Sequence, residues 1–301
     1  MRENGYWVIR TYEAGTVGEK IKYWVSGEKP RKSARRLKSD IQKIQQNEAS
    51  SVKRAARLLN ENFTHNDVLL GLDYSDEGIS LLMKRLLASG IDFDRLDEQG
   101  KLIAIKHEAE RDLNNFIRRC KRAMPEGSEF KYFAITSDMD GESGATVRIH
   151  HHLTISGGML DICKLKWNLG SVDYENIWDE PDHSGLAEYL IKQVRHVPDD
   201  KKYKPSRNLV NPQPRDRIAV NGSELRVPLK CSLLHRNEFK PGRPQYIRYI
   251  LPASGFVDSA GVRAHTRQLF GNENGGHGSG RISHSADDGF TKTGGGENEL
   301  S

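Results

Sequence analysis

The segment Ile149-His150-His151-His152-Leu153-Thr154-Ile155 places three consecutive histidines between β-branched and apolar residues. Such flanks favour a β-strand. Alternate side chains of a strand lie on the same face, so His150 and His152 point one way and His151 points the other way. Two imidazoles on one face of a rigid strand can bind one metal ion. We therefore interpret His150 and His152 as metal ligands, against the alternative of polar surface residues.

The sequence around this segment predicts the rest of a sheet and its helices. Short strands are predicted at 68–74, 130–138 and 148–156, with a Gly-rich hairpin joining the last two, and another strand near 166–172. Helices are predicted from about 33 to 62, from 75 to about 90, from 102 to 123 and from 184 to about 194. This order favours an α+β fold, with a central antiparallel sheet of about five strands and packed helices. We find no Gly-rich phosphate-binding loop.

Composition restricts the class of protein. The chain has 301 residues, 29% of them charged, and a formal net charge of +5. Its mean hydropathy is −0.69, and no stretch approaches the roughly 20 apolar residues of a membrane span. Cys120, Cys163 and Cys231 are too few and too widely spaced for a disulfide framework or a CxxC zinc site. We expect a cytoplasmic protein with no membrane partner.

A second motif lies on the predicted helix at 184–194. Tyr189 and Lys192 are three residues apart there, so they share one helix face. A tyrosine hydroxyl, with a pKa near 10, is a poor nucleophile at neutral pH, but a lysine and a nearby cation favour its phenolate form. A Tyr–Lys pair on a helix is more often part of an ordinary surface. The histidine strand is what supports a catalytic interpretation of this pair.

Together the two motifs resemble those of the HUH endonuclease superfamily, and most closely those of the rolling-circle replication initiators of phages and plasmids. The histidine motif is His150-His151-His152, with histidine where the family has a bulky apolar residue. The tyrosine motif is Tyr189-Leu190-Ile191-Lys192, and it follows the histidines, as in the replication initiators. The resemblance covers roughly residues 50–210 and implies a ferredoxin-like palm fold.

The resemblance implies a defined chemistry. His150, His152 and a third ligand would bind Mg²⁺ or Mn²⁺ at the scissile phosphate, and imidazole ligands favour Mn²⁺. Asp138 is the best local candidate for the third ligand, with Glu142 next and Asp73 as a more distant acid. Tyr189 would attack phosphorus to form a 5′-phosphotyrosine link, and Lys192 would stabilise the phenolate or the phosphate. Because position 193 is Gln, we predict a single-tyrosine enzyme.

The resemblance also suggests a division of the chain. We predict a basic N-terminal arm at 1–57, an HUH endonuclease domain at 58–200, a basic C-terminal extension at 201–265 and a disordered tail at 266–301. From Lys20 to Arg57 there are twelve Lys or Arg against three Asp or Glu. The tail is rich in Gly, Ser, Asn and charge, which cannot offset the chain entropy of folding.

The basic segments suggest DNA contacts. The expected partner is single-stranded DNA at a replication origin in a bacterial host cell, with a host helicase and polymerase and no small-molecule cofactor. Residues with side chains suited to phosphates or an unpaired base are Arg35, Arg36, Lys202, Tyr203 and Arg207.

Three other functions stay open at this point. A transposase or mobilisation relaxase would use the same chemistry. A non-catalytic nucleic-acid-binding module would need neither the tyrosine nor the metal for catalysis. A metal-dependent phosphodiesterase that uses water as its nucleophile would form no covalent adduct with DNA.

Overall fold

The structure is a computed structural model, and it describes residues 5–26, 40–197, 200–219, 224–238, 240 and 243–252. In chain order, the elements are β1 (Gly5–Ala14), β2 (Val17–Ser26), α1 (Asp40–Asn62), β3 (Val68–Asp73), α2 (Asp76–Ala88), α3 (Glu98–Ala123), β4 (Tyr132–Met139), β5 (Thr146–Ile155), α4 (Leu160–Lys166), β6 (Val172–Asn176), α5 (Ser184–Lys192), β7 (Lys204–Pro205), β8 (Arg215–Ala219), β9 (Ser232–Arg236) and β10 (Gln245–Ile250).

The predicted α+β class is confirmed. The strands form two antiparallel five-stranded sheets, of order β6-β3-β5-β4-β7 and β8-β1-β2-β10-β9. We call the first the histidine sheet, because β5 carries the three histidines and lies at its centre. We call the other the second sheet. Within the described residues, no helix combines the length and the apolar character that crossing a membrane requires.

Helices cover both faces of the histidine sheet. On one face, α2, α3 and α4 pack on apolar side chains of β3, β4 and β5; the core there includes Leu70, Leu72, Leu113, Phe116 and Leu153. On the other face, α1 and α5 pack over one end of the sheet; that core includes Leu59, Leu69, Phe133, Leu190 and Ile191. Because both faces are buried there, β3 (VLLGLD) is a nearly continuous apolar run.

The helix start predicted at Ser75 is confirmed. Ser75 is the N-cap of α2, and its hydroxyl accepts a hydrogen bond from the backbone N–H of Gly78 at 3.0 Å. This cap satisfies one of the backbone donors that a helix leaves open at its first turn. The three cysteines are free thiols, as the sequence predicts.

The strand predicted near 166–172 is wrong. Residues up to Lys166 belong to α4, and β6 begins at Val172. The segment between them is a turn held against the end of β3. The Trp167 indole N–H donates to the Asp73 carbonyl at 2.8 Å, and the Ser75 N–H donates to the Leu169 carbonyl at 2.8 Å. Its Trp167 side chain therefore packs in the core against Phe116 of α3 and Tyr74, and the segment does not continue the sheet.

The second sheet unites the two ends of the described chain. Strands β1 and β2 come from the predicted N-terminal arm, and β8, β9 and β10 come from the predicted C-terminal extension. The structure thus gives one sheet where the sequence suggests two separate basic segments. Strand patterns in a sequence do not reveal which distant strand is the partner. The predicted tail at 266–301 lies outside the described residues.

Candidate active site

Strand β5 presents His150 and His152 on the face that α5 partly covers. His150 pairs with Ser137 of β4 and with Asp73 of β3, and His152 pairs with Ile135 and Gly71. The His150 side chain lies near the end of the sheet that the α1–α5 core does not reach. The predicted alternation therefore holds: two histidines share one face, and His151 faces the other helices.

The two ring nitrogens of this pair lie close together. His150 Nδ1 donates to the Arg148 carbonyl at 2.8 Å, so in the neutral ring the lone pair is on Nε2. His150 Nε2 is 3.1 Å from His152 Nε2. Burial, together with the neighbouring His150, lowers the pKa of His152 to about 4. A neutral imidazole is the form that binds a metal ion, so His152 is in that form at neutral pH.

Gln193, the residue that caps α5, supplies a third donor atom. Its Oε1 lies 3.1 Å from His152 Nε2, and its Nε2 donates to the Tyr189 carbonyl at 3.3 Å. The second contact fixes the amide, because a carbonyl can only accept a hydrogen bond. Ser137 Oγ donates to the Gln193 carbonyl at 3.0 Å and holds the backbone in place. The amide oxygen therefore points at the histidine pair.

Sequence reasoning missed Gln193 as a possible ligand. The signal was available, because residue 193 follows Tyr189 by four positions and lies on the same helix face. The third ligands predicted from the sequence are all acids, and Gln193 enters the prediction only as the position of an absent second tyrosine. An amide oxygen is also a ligand for Mg²⁺ and Mn²⁺, which prefer oxygen donors.

These three side chains fit a divalent cation by their chemistry. His150 Nε2 and Gln193 Oε1 carry lone pairs and both lie 3.1 Å from His152 Nε2, so either the proton of His152 Nε2 or a cation lies among the three atoms. Two nitrogens 3.1 Å apart can both reach one ion at bond lengths of about 2.1 Å. In the described parts of the chain, no three His, Cys, Asp or Glu side chains form a metal-binding group. This set has two imidazoles, and its third donor is an amide.

Tyr189 lies beside the histidine pair and is open to solvent. Its ring centre is 5.9 Å from that of His152, and 49% of the residue is exposed. Its neighbours on α5, Leu190 and Ile191, are fully buried and anchor the helix in the core. The anchored helix therefore holds a half-exposed phenol next to the three candidate ligand atoms.

Lys192 is on α5, as predicted, but its side chain contacts Glu188 of the same helix. Its ammonium forms an ion pair with Glu188 at 2.7 Å, and both side chains are about half exposed. The hydrogen bond and charge of Glu188 raise the pKa of Lys192. The structure thus keeps Lys192 one helical turn from Tyr189 and gives it a carboxylate partner.

Asp138, the predicted third ligand, binds Arg195. Its Oδ2 is 2.7 Å from Arg195 Nε, and the residue is buried. Its Oδ1 is also buried and has no hydrogen-bond partner within the described residues. The strand pairing is irregular between Ser137 and Met139, so Asp138 falls outside the regular register with β5. The structure brings Gln193, rather than Asp138, to His152.

Asp73, the more distant acid, lies directly across from His150. Burial raises the pKa of Asp73, the charge of His150 acts against this, and Asp173 raises it further. Asp173 pairs with Gly71 in the neighbouring strand β6. Two carboxylates therefore lie near the histidine pair and make that end of the sheet favourable for a cation.

His151 is fully buried on the opposite face. Its Nδ1 is 3.0 Å from Thr136 Oγ1, and its Nε2 is 3.2 Å from the Tyr74 hydroxyl. That hydroxyl also donates to Asp112, which forms an ion pair with Arg85. Burial lowers the pKa of His151 to about 3, so the ring is neutral. These contacts give both ring nitrogens of His151 a hydrogen-bond partner. They allow a histidine at a buried position where a bulky apolar side chain would otherwise be expected.

The residues predicted to contact DNA are dispersed. Arg35 and Arg36 lie outside the described residues. Lys202 forms an ion pair with Glu48 at 2.9 Å. The Tyr203 ring stacks on Phe133, with ring centres 4.8 Å apart, and is part of the core under α1. Arg207 lines an open pocket at the far end of the histidine sheet.

We compared the chain with protein-family models, curated proteins and solved structures. No family model, no curated protein and no solved structure matches it.

Proposed function

We propose that this protein is a metal-dependent endonuclease that nicks single-stranded DNA through Tyr189 and initiates rolling-circle replication at an origin. One observation carries the proposal: His150, His152 and Gln193 converge on one face, with the Tyr189 ring beside them. A half-exposed phenol beside a cation site can serve as the nucleophile in covalent cleavage of a phosphodiester. The sequence resemblance points to the same chemistry.

The ligand set suits a phosphate substrate. Two imidazoles and one amide are all neutral, so they leave the charge of a divalent cation uncompensated. An anionic phosphodiester can supply that charge. A bound Mg²⁺ or Mn²⁺ would act as a Lewis acid towards the phosphate oxygens. Asp73 and Asp173 add negative charge that favours cation binding at this end of the sheet.

Tyr189 performs the covalent step in this proposal. Its phenol oxygen attacks phosphorus and loses its proton to water. The bond from phosphorus to the 3′ oxygen breaks, and that oxygen takes up a proton. The products are a 5′-phosphotyrosine link and a free 3′-hydroxyl, which a host polymerase can extend behind a host helicase. The phosphotyrosine bond keeps the energy needed to rejoin the strands later.

Lys192 and Asp138 have secondary parts in this proposal. Lys192 exchanges Glu188 for a phosphate oxygen of the substrate, because its exposed ion pair is easily broken. Asp138, the third ligand predicted from the sequence, is the alternative to Gln193, and only its Oδ1 is unpaired, since its other oxygen binds Arg195.

The test is formation of a covalent adduct. The protein is incubated with Mn²⁺ and single-stranded fragments of its own genetic element, and then denatured. We expect a detergent-resistant protein–DNA band that is absent with a chelator, in Tyr189→Phe and in His152→Ala. Tyr174→Phe is the matched control, since Tyr174 is 51% exposed and lies at the edge of the same sheet. This control is expected to form the adduct as the wild type does.

Each other outcome assigns a different function. Cleavage without an adduct would mean a phosphodiesterase that uses water. Binding without cleavage by a folded protein would indicate the non-catalytic module. If the adduct forms, replication of a plasmid that carries the cleaved fragment separates an initiator from a transposase or relaxase, because only the initiator supports replication.

A further inference from the structure

A basic pocket lies far from the candidate active site. It has a volume of about 340 Å³ and lies between the end of α3 and the segment after β7; its lining residues are Lys121, Met124, Ser128, Phe130, Arg207 and Asn208. Lys121 and Arg207 reach it from these two separate elements. Phe130 is buried beneath it, so the floor of the pocket is apolar.

The positive charge of this pocket is not neutralised. Neither Lys121 nor Arg207 forms an ion pair with a carboxylate among the described residues. Burial lowers the pKa of Lys204 on β7, the charge of Glu110 acts against this, and the charge of Lys121 lowers the pKa further. The Lys204 ammonium is thus a third positive charge, close enough to Lys121 for the two charges to repel each other. Of the lining residues, Asn208 donates from Nδ2 to the Glu129 carboxylate at 3.3 Å.

The lining is rich in hydrogen-bond donors. The ammonium of Lys121, the guanidinium of Arg207 and the hydroxyl of Ser128 all can donate, and lysine and arginine cannot accept. An anion with several acceptor oxygens satisfies such a set, and arginine in particular binds phosphate through two parallel hydrogen bonds. The apolar floor formed by Met124 and Phe130 suits a sugar or a base next to that phosphate.

We propose that this pocket binds a phosphodiester of the single-stranded DNA at a distance from the nicking site. The inference rests on the proposed function. Phe130 precedes β4, and Ser137 of β4 pairs with His150, so the pocket and the histidine pair are separated by about seven strand residues. At 3.3 Å per residue, this is roughly 20 Å. The pocket lies on the α3 face of the histidine sheet and Tyr189 on the α5 face, so a bound strand that contacts both with different nucleotides passes around the β7 edge of the sheet.

The test measures equilibrium binding of a fluorescent oligothymidylate by anisotropy, with a chelator present so that no cleavage occurs. We expect Lys121→Gln and Arg207→Gln each to weaken binding roughly threefold to tenfold and to reduce the slope of log affinity against log salt by about 0.7. Arg122→Gln is the matched control. It removes the same charge from the same turn of α3 but lies outside the pocket lining.

Three results would overturn the proposal. An equal effect of Arg122→Gln would mean diffuse attraction by surface charge. Unchanged binding in both pocket variants would show that the pocket does not bind the oligonucleotide. Tight binding of inorganic phosphate alone, with no gain for the oligonucleotide, would assign a free-anion site. Because the assay uses no metal and no cleavage, its result is independent of the adduct test: loss of the adduct with retained pocket effects would refute only the proposed nicking.

Discussion

At the residue scale, Gln193 is the side chain that most sharply distinguishes a metal site from an incidental histidine pair. Its amide oxygen is 3.1 Å from His152 Nε2 and is held there by the Tyr189 carbonyl. We expect Gln193→Ala to weaken Mn²⁺ binding roughly tenfold or more, by analogy with the loss of groups that orient ligands. Gln193→Glu should retain or strengthen binding, because it keeps an oxygen and adds charge.

The Mn²⁺ affinity is measured by electron paramagnetic resonance of the free ion during titration. Gln213→Ala is the control, since Gln213 is exposed and its amide donates to the Asn211 carbonyl. Equal Mn²⁺ affinity in the wild type and Gln193→Ala would rule out the amide as a ligand.

A second residue-scale prediction concerns His151. His151→Leu leaves the Thr136 hydroxyl without its imidazole partner in the core, while the Tyr74 hydroxyl keeps Asp112. We expect the free energy of unfolding to fall by about 1–3 kcal/mol, measured by urea denaturation. In the His151→Leu background, Thr136→Val should cost less than it does in the wild type. Additive effects of the two substitutions would contradict a direct hydrogen bond between them.

At the element scale, two helical glycines, Gly78 of α2 and Gly185 of α5, differ in the space available for a side chain. A Cβ at Gly78 of α2 would lie 2.0 Å from the Leu169 carbonyl oxygen, whereas a Cβ at Gly185 of α5 would meet nothing within 4 Å. We expect Gly78→Ala to destabilise the protein by about 1–3 kcal/mol, because backbone must move. Gly185→Ala should stabilise it by up to about 1 kcal/mol through helix propensity.

Thermal and urea unfolding of both glycine variants check this prediction. In the turn that contacts Gly78, the Leu169 carbonyl also accepts a hydrogen bond from the Ser75 N–H. The Ser171 carbonyl of the same turn accepts one from the Asp73 N–H. A neutral Gly78→Ala would mean that this turn is looser than its contacts indicate.

At the scale of the whole molecule, the second sheet is held to α1 by a buried ion pair. Arg57 Nη2 is 2.6 Å from Glu19 Oε2, and both side chains are largely buried. Arg10 and Asp216 are also 2.6 Å apart, but both are more than a third exposed. We expect Arg57→Ala to cost about 3 kcal/mol, because it leaves Glu19 buried without its partner. Arg10→Ala should cost less than about 1 kcal/mol.

The midpoint of urea unfolding, followed by circular dichroism, compares the two arginine variants. Equal destabilisation would show that the burial of the Arg57–Glu19 pair does not decide its contribution.

Elements that depend on local pattern can be predicted from the order of the residues alone. Period-two alternation with β-branched flanks placed His150 and His152 on one face, and helical spacing placed Tyr189 on α5. The serine cap at Ser75 and the α+β class were also local or compositional properties. Each of these features depends on residues that are neighbours in the chain, so the local sequence pattern is sufficient to predict it.

Contacts between groups that are distant in the chain depend on the packing of the whole fold. The pairing of strands 5–26 with strands after 215, the contact of Gln193 with His152 and the pocket between Lys121 and Arg207 all join separate segments. Asp138 shows the same limit, because its partner Arg195 is 57 positions away. Contacts of this kind are set by how the helices pack on the sheets, and side-chain periodicity along the chain does not determine that packing.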